Sequence, residues 1–212
     1  MADVLCHSQD SPKIPVVKLQ GGKKNEKNFL NACHPPGTAF PTLPSPKSQI
    51  QSRQGLPMSQ IAAKLSELGL VLPPPPKPVA AYIPFVRTGN LVFISGQIPF
   101  VEGKVAWTGP VPTVQSIEQG QLAARQCALN CLGVLAGALD GDLDRVERIV
   151  RLGVFVNADG AFTDHPVVAN GASVLLQTLF GERGRHARAA VGCPNLPLGA
   201  TVEVEMIAEV RG

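Results

Sequence analysis

The sequence predicts an α+β sandwich, one mostly antiparallel or mixed sheet with two helices on a single face. Three observations carry this. From residue 79 onward the periodicities run strand, strand, helix, strand, helix, strand, strand. Both helical stretches have broad apolar faces, and the last segment alternates apolar with polar residues from Thr201 to Glu209, broken only at Ile207.

The elements follow in order. Ser59 reads as an N-cap, Ile61, Leu65 and Leu68 form one helical stripe, and Gly69 closes it. The run VLPPPPKP that follows is a stiff polyproline spacer, which makes the preceding helix an accessory packed on the outside. AAYIPFVRT and LVFISGQIP, rich in aromatic and β-branched residues, flank Gly89-Asn90 and predict a β-hairpin. Gly96 interrupts its second arm, which marks a bulge, a bend or a close approach of ligand to backbone. A loop is expected to about Thr113, then a long helix from about Val114 to Leu139. Ala124, Ala128, Cys131, Leu135 and Ala138 line one face of that helix, and small residues of this kind suit close packing on a sheet.

Val146 to Asn157 reads as a strand, with Val150, Leu152, Val154 and Val156 on one face and Arg151, Gly153 and Phe155 on the other. A second helix enters near Thr163 and Asp164, with Pro166 in its first turn, and Gly181 releases it. In the final strand Val202, Val204, Met206 and Ala208 alternate with Glu203, Glu205 and Glu209. Two helices on one face leave the other bare, carrying Gly153, Phe155 and Ile207 among polar residues. A half-apolar face is expected to be covered by another copy of the chain, which predicts a homo-oligomer with clefts between subunits.

Charge and cysteine content narrow the function classes. Residues 1–57 hold seven Lys or Arg against three Asp or Glu, a balance of +4. The other 155 carry twelve against thirteen, or −1, so the net +3 belongs to the N-terminal segment. A nearly neutral folded part argues against a specific nucleic-acid partner. Five cysteines, an odd number without a CxxC pair, point to a reducing, cytoplasmic setting without structural disulfides. Cys127 and Cys131 read as small core residues of the long helix, and no metal or other cofactor is expected.

The C-terminal stretch HARAAVGCPNLPLGATVEVEMIAEV suggests chemistry. Arg188 sits in a short apolar run, followed by a Pro and Gly corner and a strand bearing Glu203 and Glu205. A fork-shaped cation and a carboxylate are what a site for a small carboxylate needs, one to hold the anion and one to handle water or a proton. The same pattern also describes an ordinary half-buried antiparallel strand with a wet acidic side.

The run ending GNLVFISGQIP, together with ARAAVG and LPLGATVEVEMIA, resembles the RidA (YjgF-like) family of reactive imine and enamine deaminases, in the branch labelled chorismate-mutase-like, endoribonuclease L-PSP. The resemblance spans roughly Val79 to the C-terminus. It implies a chorismate-mutase-like fold, homotrimers with ligand sites between subunits, and hydrolysis of 2-imino and 2-enamino acids to 2-keto acids and ammonia. Arg188 matches the arginine that grips the substrate carboxylate, Glu203 the glutamate that directs the attacking water, and Tyr82 the site tyrosine. Gly96 falls in the Ser-Gly-Gln segment that lines the cleft. Ala190 stands where the best-known deaminases carry Cys, so no thiol contributes and only its backbone groups remain to serve a substrate. His186 stands in a place often held by Pro, and the segment around Asn170 does not align simply with the family's helix asparagine.

Three functional classes follow: imine or enamine hydrolysis, binding of a small carboxylate metabolite without turnover, and RNA cleavage. The last needs a general acid, a general base and phosphate stabilisation, whereas the core offers isolated histidines, near-zero charge and few aromatics for stacking.

Residues 1–57 are rich in Pro, Ser, Lys and Asn and bury too little apolar area to offset the entropy of ordering them, so a disordered basic tail is expected. No stretch in it is long and apolar enough for a signal peptide or membrane span. Met58 stands at the composition change, before the first helix, which predicts that translation starts there. The expected organisation is a tail over 1–57, an accessory helix and spacer over 58–78, and the RidA-like domain over 79–212.

Overall fold

The computed structural model describes residues 59–74 and 82–212. The expectations for the tail, for a start at Met58 and for the second half of the proline spacer lie outside the described residues.

The elements are α1 (Gln60–Glu67), β1 (Phe85–Thr88), β2 (Leu91–Gln97), β3 (Phe100–Val101), β4 (Lys104–Val105), α2 (Ile117–Ala138), β5 (Val146–Asn157), α3 (His165–Phe180), β6 (Ala187–Cys193) and β7 (Val202–Val210). The main sheet has the order β1-β2-β7-β5-β6. Only β5 and β6 pair in parallel, joined through α3, so the sheet is mixed. Helices α2 and α3 pack on each other and on the same sheet face. The core between the layers is fed by Val92, Leu152, Val154, Val204 and Met206 from the sheet and Cys127, Cys131, Leu135 and Leu176 from the helices.

Local chemistry accounts for the layer of helices. Ser116 caps α2, its hydroxyl accepting from the Gln119 amide at 3.2 Å. Asp140 (φ 56°) and Gly141 (φ 90°) turn the chain out of the helix. Of the small residues expected on α2, Ala124, Ala128 and Cys131 are fully buried and Ala138 partly so, and the Cys127 and Cys131 thiols donate to the Val202 and Val204 carbonyls. Helices α2 and α3 cross so closely that a Cβ on Gly171 would run into the Gln121 carbonyl group, 2.7 Å from its carbon.

Three details differ from the sequence expectation. In β5 it is Ile149, not Val150, that is buried, because the register against β7 shifts between Ile149 and Arg151 and resets the alternation. The expected loop after Pro99 contains the β3–β4 hairpin, turned by Glu102 (φ 50°) and Gly103 (φ 79°). Two-residue strands are too short to show any alternation.

Helix α1 is the third. Ile61 (1% exposed) and Leu65 (6%) belong to the main core, while Leu68, expected on the same stripe, is largely exposed. Burying two such side chains is worth about 1.5–3 kcal/mol each. Polar contacts fix the helix as well. The Asp144 carboxylate accepts from the Gln60 and Ile61 amides at 2.7 and 3.0 Å, and Lys64 Nζ donates to the Leu179 carbonyl at 2.9 Å.

Desolvation alone would raise the Asp144 pKa, but the bonds from Ile61 and Gln60 outweigh it and hold the group below the usual carboxylate value. A carboxylate with a depressed folded pKa contributes stability that is present above its unfolded pKa and lost as the pH falls through the folded one. Asp144→Ala is therefore expected to cost about 0.5–2 kcal/mol near neutral pH in denaturant unfolding. The difference from wild type should shrink in acid, and hydrogen exchange should accelerate first in α1.

Candidate functional site

Arg188 lies on β6, the edge strand, opposite Leu152 of β5, so its side chain emerges on the helix side of the sheet. There α3 meets it with three acceptors. Nη1 donates to Asn170 Oδ1 at 3.0 Å and to Ser173 Oγ at 2.9 Å, and Nη2 donates to the Pro166 carbonyl at 3.2 Å. All three acceptors are neutral, and among the described residues no carboxylate lies within ion-pair distance of the guanidinium. Three of its five N–H groups are thus committed to holding it in place. The Nε–H and one Nη2–H, on adjacent nitrogens, remain to meet the two oxygens of a carboxylate.

Behind Arg188 stands a second layer of contacts. Ser173, 7% exposed, also lies 3.0 Å from His186 Nε2, and His186 Nδ1 lies 2.7 Å from the Gly184 carbonyl oxygen. Burial, and then the charge of Arg188, push the His186 pKa below the ordinary imidazole value, against the Gly184 bond that raises it. Ala190, two residues beyond Arg188 and half-buried, packs its methyl against the core.

Glu203 is elsewhere. It pairs with Phe155 on the face away from the helices, two strands from Arg188 in sheet order. It is half-buried and accepts no hydrogen bond from a described residue. Burial, then repulsion from Glu205, raise its pKa above the usual carboxylate value. Gly96 lies beneath it: a Cβ there would collide with the Glu203 carboxylate, 2.8 Å from its carbon. The register shift between Ile94 and Gln97 places a bulge at this point, one of the alternatives the interrupting glycine left open. The neighbouring Glu205 is paired with Arg151 at 2.8 Å. Tyr82, three residues before β1, is 52% exposed.

One chain therefore brings Gly96 and Glu203 together on one sheet face and Arg188 and Ala190 together on the other. It does not bring Arg188 to Glu203. Asn170 and Ser173 are the partners that pattern reading left unassigned. Their spacing of three on α3 puts both on one helix face, and two polar residues one turn apart in an apolar helix were the available signal.

The profile of the family described as "YjgF/chorismate_mutase-like, putative endoribonuclease" matches residues 62–210. The chain belongs to this family. Protein TCP17 of Trypanosoma cruzi is 45% identical over 153 residues, covering 72% of this chain and 95% of that protein. A 2-iminobutanoate/2-iminopropanoate deaminase of Dermatophagoides farinae is 29% identical over 139 residues, 64% of this chain and 91% of the relative. The crystal structure of a protein of unknown function from Agrobacterium tumefaciens superposes with a TM-score of 0.67 at 43% identity, covering 72% of this chain and 94% of that one. The α+β fold of the YjgF family expected from the sequence is thus the fold observed. The match begins inside α1 and takes in Leu65, which agrees with the place of that residue in the core. No helix among the described residues is long and apolar enough to cross a membrane.

Since repulsion from Glu205 helps raise the Glu203 pKa, Glu205→Gln is expected to lower the Glu203 titration midpoint without returning it fully to the ordinary value, because burial persists. Carboxyl 13C NMR titration of both proteins measures this.

Proposed function

We propose that this protein hydrolyses reactive 2-imino and 2-enamino acids to 2-keto acids and ammonia at sites shared by neighbouring copies in a homotrimer. The observation that carries the reading is the Arg188 guanidinium, held by three neutral acceptors with two adjacent donors to spare and, among the described residues, no carboxylate within ion-pair distance. A partly buried cation in that condition favours an anionic ligand, and a planar fork selects a carboxylate. The family membership and the deaminase relative support the chemical class.

In this reading Arg188 of one copy grips the substrate carboxylate and Glu203 of the next directs the water. The raised pKa of Glu203 suits it to accept a proton and return it. Water adds to C2 of the protonated imine while Glu203 takes its proton. Glu203 returns that proton to the nitrogen of the resulting carbinolamine, ammonia leaves as the C–N bond breaks, and the hydroxyl proton passes to Glu203 as C2 becomes the keto carbon. An enamino acid enters the same route after protonation at C3. Gly96 leaves room for the Glu203 carboxylate, Tyr82 positions the substrate, and Ala190 offers backbone groups beside Arg188. No step calls for a metal or organic cofactor.

Binding of a small carboxylate without turnover is the second reading. It is favoured by one observation: a single chain presents the Arg188 clamp alone, with Glu203 on the opposite face.

Coupling the purified protein to a serine or threonine dehydratase and following keto-acid formation separates the two. Hydrolysis predicts acceleration that Arg188→Ala removes together with keto-acid binding. Glu203→Gln should keep binding within a few-fold and lose about 10²- to 10⁴-fold in rate. Binding with no acceleration by the wild type would establish the second reading, and full activity in Arg188→Ala would refute both.

A further inference from the structure

The contacts behind Arg188 admit one arrangement of protons that satisfies every group. A carbonyl oxygen carries no hydrogen, so in the 2.7 Å contact between His186 Nδ1 and Gly184 O the ring must donate. In the neutral ring this leaves Nε2 as an acceptor. A guanidinium can only donate, so Ser173 Oγ accepts from Arg188 Nη1 at 2.9 Å, and its own hydrogen turns to His186 Nε2 at 3.0 Å. The buried Ser173 hydroxyl then has both a donor and an acceptor, and the chain runs Arg188 to Ser173 to His186 to Gly184.

We propose that His186 is a positioning residue for the carboxylate clamp, acting through Ser173 to fix the guanidinium of Arg188. This rests on the reading of Arg188 given above. Without an acceptor at His186 Nε2 the Ser173 hydroxyl is free to turn its hydrogen elsewhere, and its lone pairs no longer stay aimed at Nη1. Protonation of His186 also removes that acceptor: Nε2 then donates, Ser173 accepts from two donors, and its own hydrogen loses its partner. The groups facing the ring are Arg188 from β6, the neutral Ser173 from α3 and the Gly184 carbonyl from the turn before β6. Among the described residues no carboxylate lies within ion-pair distance to stabilise a charged ring. Among these groups only Arg188 is charged, and its positive charge favours the neutral ring. Asn170 and Pro166 hold Arg188 from the other side, so loss of the His186 link loosens the clamp without removing it.

The test uses side-chain NMR and ligand binding on the full chain. The 15N shifts of His186 are expected to show the Nδ1–H tautomer near neutral pH. The Arg188 guanidinium signal, assigned by its disappearance in Arg188→Lys, should shift or broaden in His186→Leu and in Ser173→Ala. It should stay close to wild type in His186→Gln, whose amide oxygen can accept from Ser173. Binding of 2-ketobutyrate should weaken about 3- to 10-fold in His186→Leu, the worth of one neutral hydrogen bond. His186→Leu combined with Ser173→Ala should bind no worse than Ser173→Ala alone, which independent structural damage would not produce. An unchanged Arg188 signal in His186→Leu, an Nε2–H tautomer, or additive losses would each overturn the proposal. If the signals respond as expected while wild type and Arg188→Lys bind 2-ketobutyrate equally, the positioning role stands and the carboxylate reading of Arg188 falls.

Discussion

A positive charge held in place by neutral groups is the feature from which the rest of the site follows. Arg188 could have been neutralised by a nearby carboxylate, as Arg151 is by Glu205 at 2.8 Å. Instead the face of α3 offers it an amide oxygen, a hydroxyl and a main-chain carbonyl. Such partners fix geometry, and among the described residues no carboxylate compensates the charge, which is what the proposed carboxylate clamp requires. The fold makes this possible through the parallel β5–α3–β6 unit. Because α3 lies over the strands it connects, the side chain of residue 188, opposite Leu152, emerges beneath that helix.

The sheet then acts as a divider. The alternation that buries Val202, Val204 and Met206 sends Glu203 and Glu205 to the far face. There Glu203 lies against Gly96 and opposite Phe155, on a face where Phe93 and Val191 are exposed in a lone chain. Desolvation and a like charge raise the pKa of Glu203, which moves a carboxylate toward the range where proton exchange with a reacting group is productive. The two halves of the proposed chemistry are thus prepared separately, and association of copies is what the proposal asks to unite them.

Much of this was legible in the sequence, for physical reasons that can be named. The bounds of β5 were read correctly because its apolar run ends at the turn residues on both sides, and the Gly89-Asn90 hairpin because a turn dipeptide stood between two β-branched arms. The strand β7 was plain because its alternation, broken only at Ile207, is what one buried sheet face imposes. What escaped was set by register and by distance along the chain. The shift that buries Ile149 in place of Val150 has no composition signal, since both residues are aliphatic. The accessory helix looked peripheral because a proline run follows it, and only Asp144, more than eighty residues away, reveals how its N-terminus is tied to the domain. Asn170 and Ser173 were hidden for the same reason, for their role appears only when α3 is laid over β6.

Whether Arg188 and Glu203 work across two copies is tested most directly by complementation. Arg188→Ala and Glu203→Gln chains, each inactive alone, are co-expressed, the mixed oligomers are purified through distinct tags, and imine hydrolysis is measured in the dehydratase-coupled assay. A site shared between copies predicts recovery of a substantial fraction of wild-type activity, because some interfaces in the mixed oligomer join an intact Arg188 to an intact Glu203. Mixed oligomers as inactive as either parent would contradict the account.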